Sequence, residues 1–156
     1  MTARKFTVTQ PTQIRFGVGA INDLAQAVQD LGGKKVLLVV DPNLKGVGLL
    51  GSITGPLDTS GVKYEIFDHV DPEPGLKLAD EGTALAAKTG CDCVIGVGGG
   101  SAMDVAKAVS ILLTNGGKAE DYLVSLTSLA GPKSHNGFRV ALRLPVMTAR
   151  VAYSAN

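Results

Sequence analysis

Three short apolar runs rich in β-branched residues stand out in the first hundred residues, and each predicts a β-strand. They are Lys35–Val40, Lys63–Phe67 and Cys93–Val97. The first and third are continuously apolar rather than alternating, as expected for strands that helices cover on both faces of a sheet. The pattern therefore favours a buried parallel sheet over a half-exposed antiparallel one.

The segments between and after these runs carry apolar residues at helical spacing. Helices are predicted over residues 21–31, 76–89 and 102–113, with Asn22 or Asp23 capping the first and Ser101 capping the third. Strands that alternate with helices predict an α/β fold with a parallel sheet. The residues predicted to face the core are Leu24, Val28 and Leu31, then Leu78 and Leu85 with nearby alanines, then Val105, Val109, Leu112 and Leu113.

Other segments have weaker patterns. Residues 44–59 contain four glycines, each of which weakens a helix by up to ~1 kcal/mol, so a glycine-loosened helix is predicted there. Residues 71–74 (DPEP) are predicted to be an extended loop, because a residue before proline is pushed out of the helical region. Residues 125–137 have a loop composition, and residues 138–145 alternate enough to predict one more strand.

Composition excludes several classes of protein. A length of 156 residues predicts one domain with a possible tail. A net charge of +1 does not indicate the basic surface that binds nucleic acid. No apolar run approaches the ~20 residues that span a bilayer, and residues 1–9 do not resemble a secretory signal. A cytoplasmic protein is therefore expected, with no nucleic acid or membrane as a partner.

The two cysteines, Cys91 and Cys93, are separated by one residue. On a strand, this spacing would place both side chains on the same face. A pair of reduced, half-buried thiols is favoured over a metal-binding or redox role.

The pattern with most chemical content is GVGGGSAMD, residues 96–104, at the junction of the third strand and the third helix. Glycines there allow a ligand to approach the backbone, and the free N–H groups of a helix N-terminus attract an anion. Turn glycines without a ligand are the alternative. The unbroken succession of strand, glycines and helix favours a nucleotide phosphate or pyrophosphate.

Asp41 follows the first strand. A carboxylate at this position can accept hydrogen bonds from both ribose hydroxyls and repels a 2′-phosphate. An Asx-turn before Pro42 explains the residue equally well when it is considered alone. The ribose interpretation gains from the glycine loop at the end of another strand, because ligands bind at the carboxyl edge of such sheets.

Four motifs, in order and at similar spacing, resemble those of iron-containing (group III) alcohol dehydrogenases. They are IRFGVGA at residues 14–20, LLVVD at 37–41, VDPEP at 70–74 and GGGSAMDVAK at 98–107. The resemblance covers roughly residues 10–135. It implies a Rossmann-like domain that binds NAD, followed in the family by a helical domain that holds a divalent metal, Fe²⁺ or Zn²⁺.

The resemblance also implies roles for individual residues. Gly98, Gly99, Gly100 and Ser101 would contact the pyrophosphate, Asp41 would hold the adenosine ribose, and Asp104 would lie near the nicotinamide. For Asp104 an exposed ion pair with Lys107, three residues further on, is an equally good explanation.

The sequence also departs from the family pattern. After Leu144 and Pro145, residues 146–154 (VMTARVAYS) replace a threonine- and glycine-rich stretch that closes over the cofactor. The family's metal ligands are an Asp and three His, whereas this chain has two histidines, His69 and His135, both expected at the surface. No catalytic or metal-binding residue is therefore assigned.

We accordingly divide the chain into an NAD(P)-binding domain, residues 1–137, and a divergent tail, residues 138–156. The expected function is that of the NAD(H)-binding domain of an alcohol dehydrogenase, truncated, weak in NAD binding and inactive alone. A stand-alone nucleotide-binding or interaction module, or a non-functional remnant, are the alternatives. Without the family's helical domain, apolar surface of this domain would be exposed, and a homodimer that covers it is expected.

Overall fold

The computed structural model describes residues 13–122 and the backbone of residues 146–149. Within these residues, four parallel strands form one sheet in the order β2-β1-β3-β4. Their bounds are β1 Lys35–Val40, β2 Lys63–Phe67, β3 Cys93–Val97 and β4 Val146–Ala149. The bounds of β1, β2 and β3 are those predicted from the apolar runs.

The described residues form five helices, one before the first strand and the others between or after the strands. The helix predicted over residues 76–89 has the same bounds in the structure, and Gly90 follows it with a φ of 72°, in the left-handed region that glycine readily adopts. The helices are α1 Leu24–Asp30, α2 Asn43–Gly46, α3 Leu50–Thr59, α4 Leu76–Thr89 and α5 Gly100–Asn115, with 3-10 turns at Ala20–Asp23 and Ala119–Tyr122.

Helices cover both faces of the sheet, which confirms the predicted α/β, Rossmann-like class. Alternate residues of β1 point into two separate cores, because successive side chains on a strand face opposite ways. Val36, Leu38 and Val40 pack with α1 and α3 on one face. Leu37 and Val39 pack with α4 and α5 on the other face. All five side chains are completely buried.

The strand order creates a crevice at the carboxyl edge of the sheet. From β1 the chain passes to β2 on one side and then returns to β3 on the other side of β1. The helix α3 that follows β1 packs on one face, whereas the helix α5 that follows β3 packs on the opposite face. Such a switch point between β1 and β3 is where open α/β sheets bind their ligands.

Several helix predictions need correction. Leu31, predicted to face the core, is exposed, because α1 ends at Asp30 and Leu31 lies beyond its last turn. The helix predicted over residues 44–59 is split into α2 and α3, and Gly48 between them has a φ of 72°. Ser101 does not cap α5, because the helix begins at Gly100, two residues earlier than predicted, with Gly99 as its N-cap.

The prediction that Cys91 and Cys93 share a face is also wrong. Strand β3 begins at Cys93, so Cys91 lies before the strand. The alternation of side-chain directions along the strand therefore does not apply to Cys91. Cys93 packs in the core on the α1 and α3 side, whereas Cys91 packs in the core on the α4 and α5 side. Neither forms a disulfide, in agreement with the expectation of reduced core thiols, and both are buried rather than half-buried as expected.

Strand β4 lies in the segment that we assign to the tail. It pairs in parallel with β3, with Val146 opposite Val94 and Ala149 opposite Val97. The strand predicted at residues 138–145 lies outside the described residues, so it and the domain division at residue 137 remain predictions. Within the described part of the chain, no helix is long and apolar enough to cross a membrane.

Candidate nucleotide-binding site

The glycines at the end of β3 and directly after it form the floor of the crevice. A Cβ added at Gly96 would lie 2.9 Å from Ala106 Cβ and 3.1 Å from the Ala102 carbonyl oxygen, so only glycine lets α5 pack this closely on the strand. Gly98 has a φ of 137°, and a Cβ there would lie 2.6 Å from Asp41 Cβ. The chain at Gly98 thus passes directly against Asp41, the residue that follows β1.

The N-terminus of α5 opens toward solvent at the crevice. Gly99 and Gly100 are exposed, and a Cβ at either would meet nothing within 4 Å. No side chain caps the helix at Gly99. The first N–H groups of an α-helix have no intrahelical partner, and together with the helix dipole they favour an anion.

The hydroxyl of Ser101 is engaged elsewhere. Ser101 Oγ donates a hydrogen bond of 2.7 Å to the Pro72 carbonyl oxygen. This bond attaches the loop of residues 71–75, which follows β2, to the first turn of α5. Because a hydroxyl has a single proton to donate, only the backbone N–H of Ser101 is left to donate to an anion.

Asp41 lies beside the glycine loop, as the sequence analysis predicted. Its N–H donates a 2.9 Å hydrogen bond to the Val97 carbonyl oxygen, which extends the pairing of β1 with β3 by one residue. Its Oδ1 accepts hydrogen bonds from the backbone N–H of Asn43, at 3.0 Å, and from Asn43 Nδ2, at 2.9 Å. The Asx-turn is therefore present, and it coexists with a half-buried carboxylate at the crevice.

Asp104 lies near the start of α5 and forms an ion pair with Lys107, which is the local explanation that the sequence analysis gave for it. Its Oδ1 is 3.1 Å from Lys107 Nζ, and both side chains are more than half exposed. An exposed pair of this kind contributes little to stability, so ligand binding can displace it at low cost.

A surface cleft of about 570 Å³ adjoins the crevice at the end of β2. Its lining includes Pro42, next to Asp41, and residues of the loop that Ser101 holds. His69 also lines this cleft. Its side chain is 79% exposed, as the sequence analysis expected, and its ring lies edge-on to Phe67 at 5.9 Å. His135 lies outside the described residues.

Neither a metal centre nor a reactive thiol occurs in the described part of the chain. Residues 13–122 contain no cluster of three or more His, Cys, Asp or Glu side chains that could hold a metal ion. Burial, reinforced by the charge of Asp92, raises the pKa of the Cys93 thiol to about 12. Burial likewise raises the pKa of Cys91. Both thiols are therefore packed in the core rather than available for chemistry.

The structure thus brings together five of the six predicted residues, Asp41, Gly98, Gly99, Gly100 and Ser101, at one switch point. Asp104 follows one turn further along α5. Sequence reasoning missed two residues that organise the site, Asn43 and Pro72. The Asp-Pro-Asn sequence is typical of an Asx-turn and could have indicated the role of Asn43. Nothing near Pro72 in the sequence indicates that its carbonyl oxygen accepts a hydrogen bond from a residue 29 positions away.

Comparison with known proteins identifies the family of this α/β domain, which carries a glycine loop at its switch point. The family model "Iron-containing alcohol dehydrogenase" matches residues 11–146. The chain belongs to the iron-containing alcohol dehydrogenase family.

Individual relatives agree with this assignment. Choline dehydrogenase of Bacillus subtilis is 38% identical over 112 residues, which cover 72% of this chain and 28% of that protein. The structure of NADH-dependent butanol dehydrogenase A from Thermotoga maritima matches with a TM-score of 0.71 and 31% identity, over 75% of this chain and 30% of that one. Sulfoacetaldehyde reductase from Bifidobacterium kashiwanohense in complex with NAD+ matches with a TM-score of 0.67 and 26% identity, over 77% and 31%. The chain thus spans under a third of the length of these relatives.

Proposed function

We propose that this chain binds NAD(H) across the crevice between β1 and β3, as the cofactor-binding part of an alcohol dehydrogenase. The observation that carries the proposal is the contact between Asp41 and Gly98. It places a carboxylate that can bind a ribose beside the glycine loop at the switch point. The NAD+ complex of the related sulfoacetaldehyde reductase supports the choice of ligand.

The described residues fit a dinucleotide. The exposed backbone of Gly99 and Gly100 and the uncapped start of α5 leave N–H donors and room for a pyrophosphate. Asp41 would accept hydrogen bonds from the adenosine ribose, and Asp104 would lie toward the nicotinamide. Ser101 would contribute its backbone N–H, while its hydroxyl keeps the loop of residues 71–75 in place.

For the complete protein we propose hydride transfer between an alcohol and the nicotinamide. In such a reaction the cofactor accepts or supplies the hydride, and the protein positions its reactive carbon against the substrate. The described residues would bind and orient the dinucleotide. The metal that the family name implies has no ligand set among residues 13–122, so we assign no step to it.

We also propose a homodimer. Ile14, Phe16 and Val18, the alternate residues of the segment that precedes the first 3-10 turn, are 84%, 96% and 111% exposed. Exposed apolar residues in a row are often covered by a partner, and a symmetric pair of chains is the commonest assembly.

Calorimetric titration with NAD+ and NADH tests the binding proposal. We expect an affinity in the millimolar to high-micromolar range, about 4–5 kcal/mol, because residues 146–154 lack the family's threonine-rich stretch. Ser101→Asp places a negative charge at the start of α5 and should weaken binding further.

Ser101→Ala is the matched control, because both substitutions remove the hydrogen bond to Pro72 but only Ser101→Asp adds a charge. If Ser101→Asp binds NADH no more weakly than Ser101→Ala, the pyrophosphate does not lie at the glycine loop. A wild-type chain that binds neither NAD+ nor NADH would overturn the proposed function.

A further inference from the structure

The carboxylate of Asp41 uses its two oxygens unequally. Both hydrogen bonds from Asn43, through the backbone N–H and through Nδ2, reach Oδ1. Among the described residues no donor reaches Oδ2, and no Lys or Arg forms an ion pair with Asp41. One oxygen is therefore anchored to the protein, whereas the other keeps its full capacity to accept hydrogen bonds.

The remaining freedom of the Asp41 side chain is small. Its backbone N–H is bonded to the Val97 carbonyl oxygen at 2.9 Å, and the backbone of Gly98 lies directly against its Cβ. The side chain can still rotate about two bonds, and the two bonds from Asn43 to a single oxygen hold both rotations. The backbone N–H and the side-chain amide of Asn43 together determine where Oδ2 lies relative to the glycine loop.

We propose that Asn43 is a positioning residue that orients the carboxylate of Asp41 toward the adenosine ribose. The inference rests on the proposed binding of a nicotinamide dinucleotide and assigns a role to a residue outside the glycine loop. Asn43 anchors Oδ1, so that Oδ2 accepts from the ribose hydroxyls. Because Asn43 is uncharged, it leaves the negative charge of Asp41 free to repel a 2′-phosphate.

A purely local role makes a different prediction. Asn43 is the first residue of α2, a helix of four residues, and its Asx-turn also stabilises the path of the chain after Pro42. If this were its only role, removal of the amide would lower the stability of the fold. It would weaken all dinucleotides equally, whether or not they carry ribose hydroxyls.

The experiment compares wild-type chain, Asn43→Ala and Asn43→Ser with two ligands, NADH and its analogue that lacks both hydroxyls of the adenosine ribose. In wild type the analogue should bind more weakly than NADH. Asn43→Ala should weaken NADH binding by about 3–10-fold, the effect of one hydrogen bond. It should leave the affinity for the analogue unchanged within about twofold, and Asn43→Ser, which keeps a short donor, should recover part of the loss.

Two results overturn the positioning role. One is an equal loss of affinity for NADH and for the analogue in Asn43→Ala, and the other is no loss for NADH. If wild type binds both ligands equally, Asp41 does not contact the ribose, and this inference fails while the glycine-loop proposal stands. If wild type binds neither ligand, both fail. Urea denaturation of each variant reports separately any change in stability.

Discussion

Substitution of Gly98 by alanine tests the geometry at the switch point. Gly98 has a φ of 137°, in a region that residues with a side chain rarely adopt. An added Cβ would also lie 2.6 Å from Asp41 Cβ and 3.5 Å from the Asp41 backbone nitrogen, far inside van der Waals contact with the first of these atoms. Neither obstacle is the end of a flexible side chain, so β1 and the glycine loop would have to move apart.

The expected loss of stability is large for a single methyl group. A residue forced into a sparsely populated backbone region costs about 1–3 kcal/mol, and overpacking of a dense region costs about 1–3 kcal/mol more. We therefore expect Gly98→Ala to lower the free energy of unfolding by about 2–6 kcal/mol, against a total of about 5–15 kcal/mol for a typical domain. In urea a loss of 3 kcal/mol lowers the midpoint by about 1–3 M.

Urea denaturation followed by far-ultraviolet circular dichroism measures this loss, and Gly100→Ala is the matched control. Gly100 lies two residues away, at the start of α5, and a Cβ there would meet nothing within 4 Å. Alanine is the better helix former, so the control should be neutral or more stable by up to about 1 kcal/mol. Equal midpoints for Gly98→Ala, Gly100→Ala and wild type would refute the close approach of Gly98 to Asp41.

Three further predictions follow from the structure. Asp41→Gly should narrow or reverse a preference for NAD+ over NADP+ in calorimetric titrations, because it removes the carboxylate that repels a 2′-phosphate; a wild-type preference for NADP+ would show that Asp41 serves only its turn. Burial raises the pKa of Cys93 to about 12, because the core does not solvate a thiolate, so Cys93 does not destabilise the fold below pH 9 and destabilises it progressively as the pH rises toward 12. Iodoacetamide should accordingly label Cys93 at pH 8 only in denatured chain, and rapid labelling of native chain would contradict its burial. Light scattering should show a dimer that Phe16→Glu dissociates, and a wild-type monomer at high concentration would count against the dimer.

The parts of the fold that sequence predicted are those set by local pattern. β1 and β3 were predictable because five of the six residues of β1, and all five of β3, are buried, which requires a continuous apolar run. The bounds of α4 were predictable because Gly75 and Gly90 flank it, and the latter takes the left-handed conformation of a helix C-terminus.

The parts that sequence could not predict depend on contacts between distant residues. Serine is a residue type that often caps helices, but the hydroxyl of Ser101 donates a hydrogen bond to the Pro72 carbonyl oxygen instead. No sequence pattern near either residue indicates that contact. Asp92 accepts hydrogen bonds from the N–H groups of Lys34 and Lys35, which ties the start of β1 to the residue before β3. These bonds reinforce the pairing of β1 with β3, and the switch point arises because β1 also pairs with β2 on its other side.

For the candidate site, sequence predicted the residue types and the structure supplies their arrangement. The glycine motif and Asp41 were recognisable because each follows a buried strand. Their contact depends on β1 and β3 being neighbours, with Val40 opposite Val97, and strand order is not written in local sequence. The role of Asn43 depends in turn on which oxygen of Asp41 its amide reaches.

The central claim is that NAD(H) binds at the glycine loop beside Asp41. The most direct test is a titration of uniformly ¹⁵N-labelled chain with NADH, followed through its backbone amide chemical shifts. The account predicts that the largest changes fall on the amides of Gly99, Gly100, Ser101 and Asp41, around the start of α5. It also predicts that NADH leaves the amides of the opposite edge of the sheet, such as Lys63, unchanged. Saturable changes centred elsewhere, or no change at millimolar NADH, would contradict it.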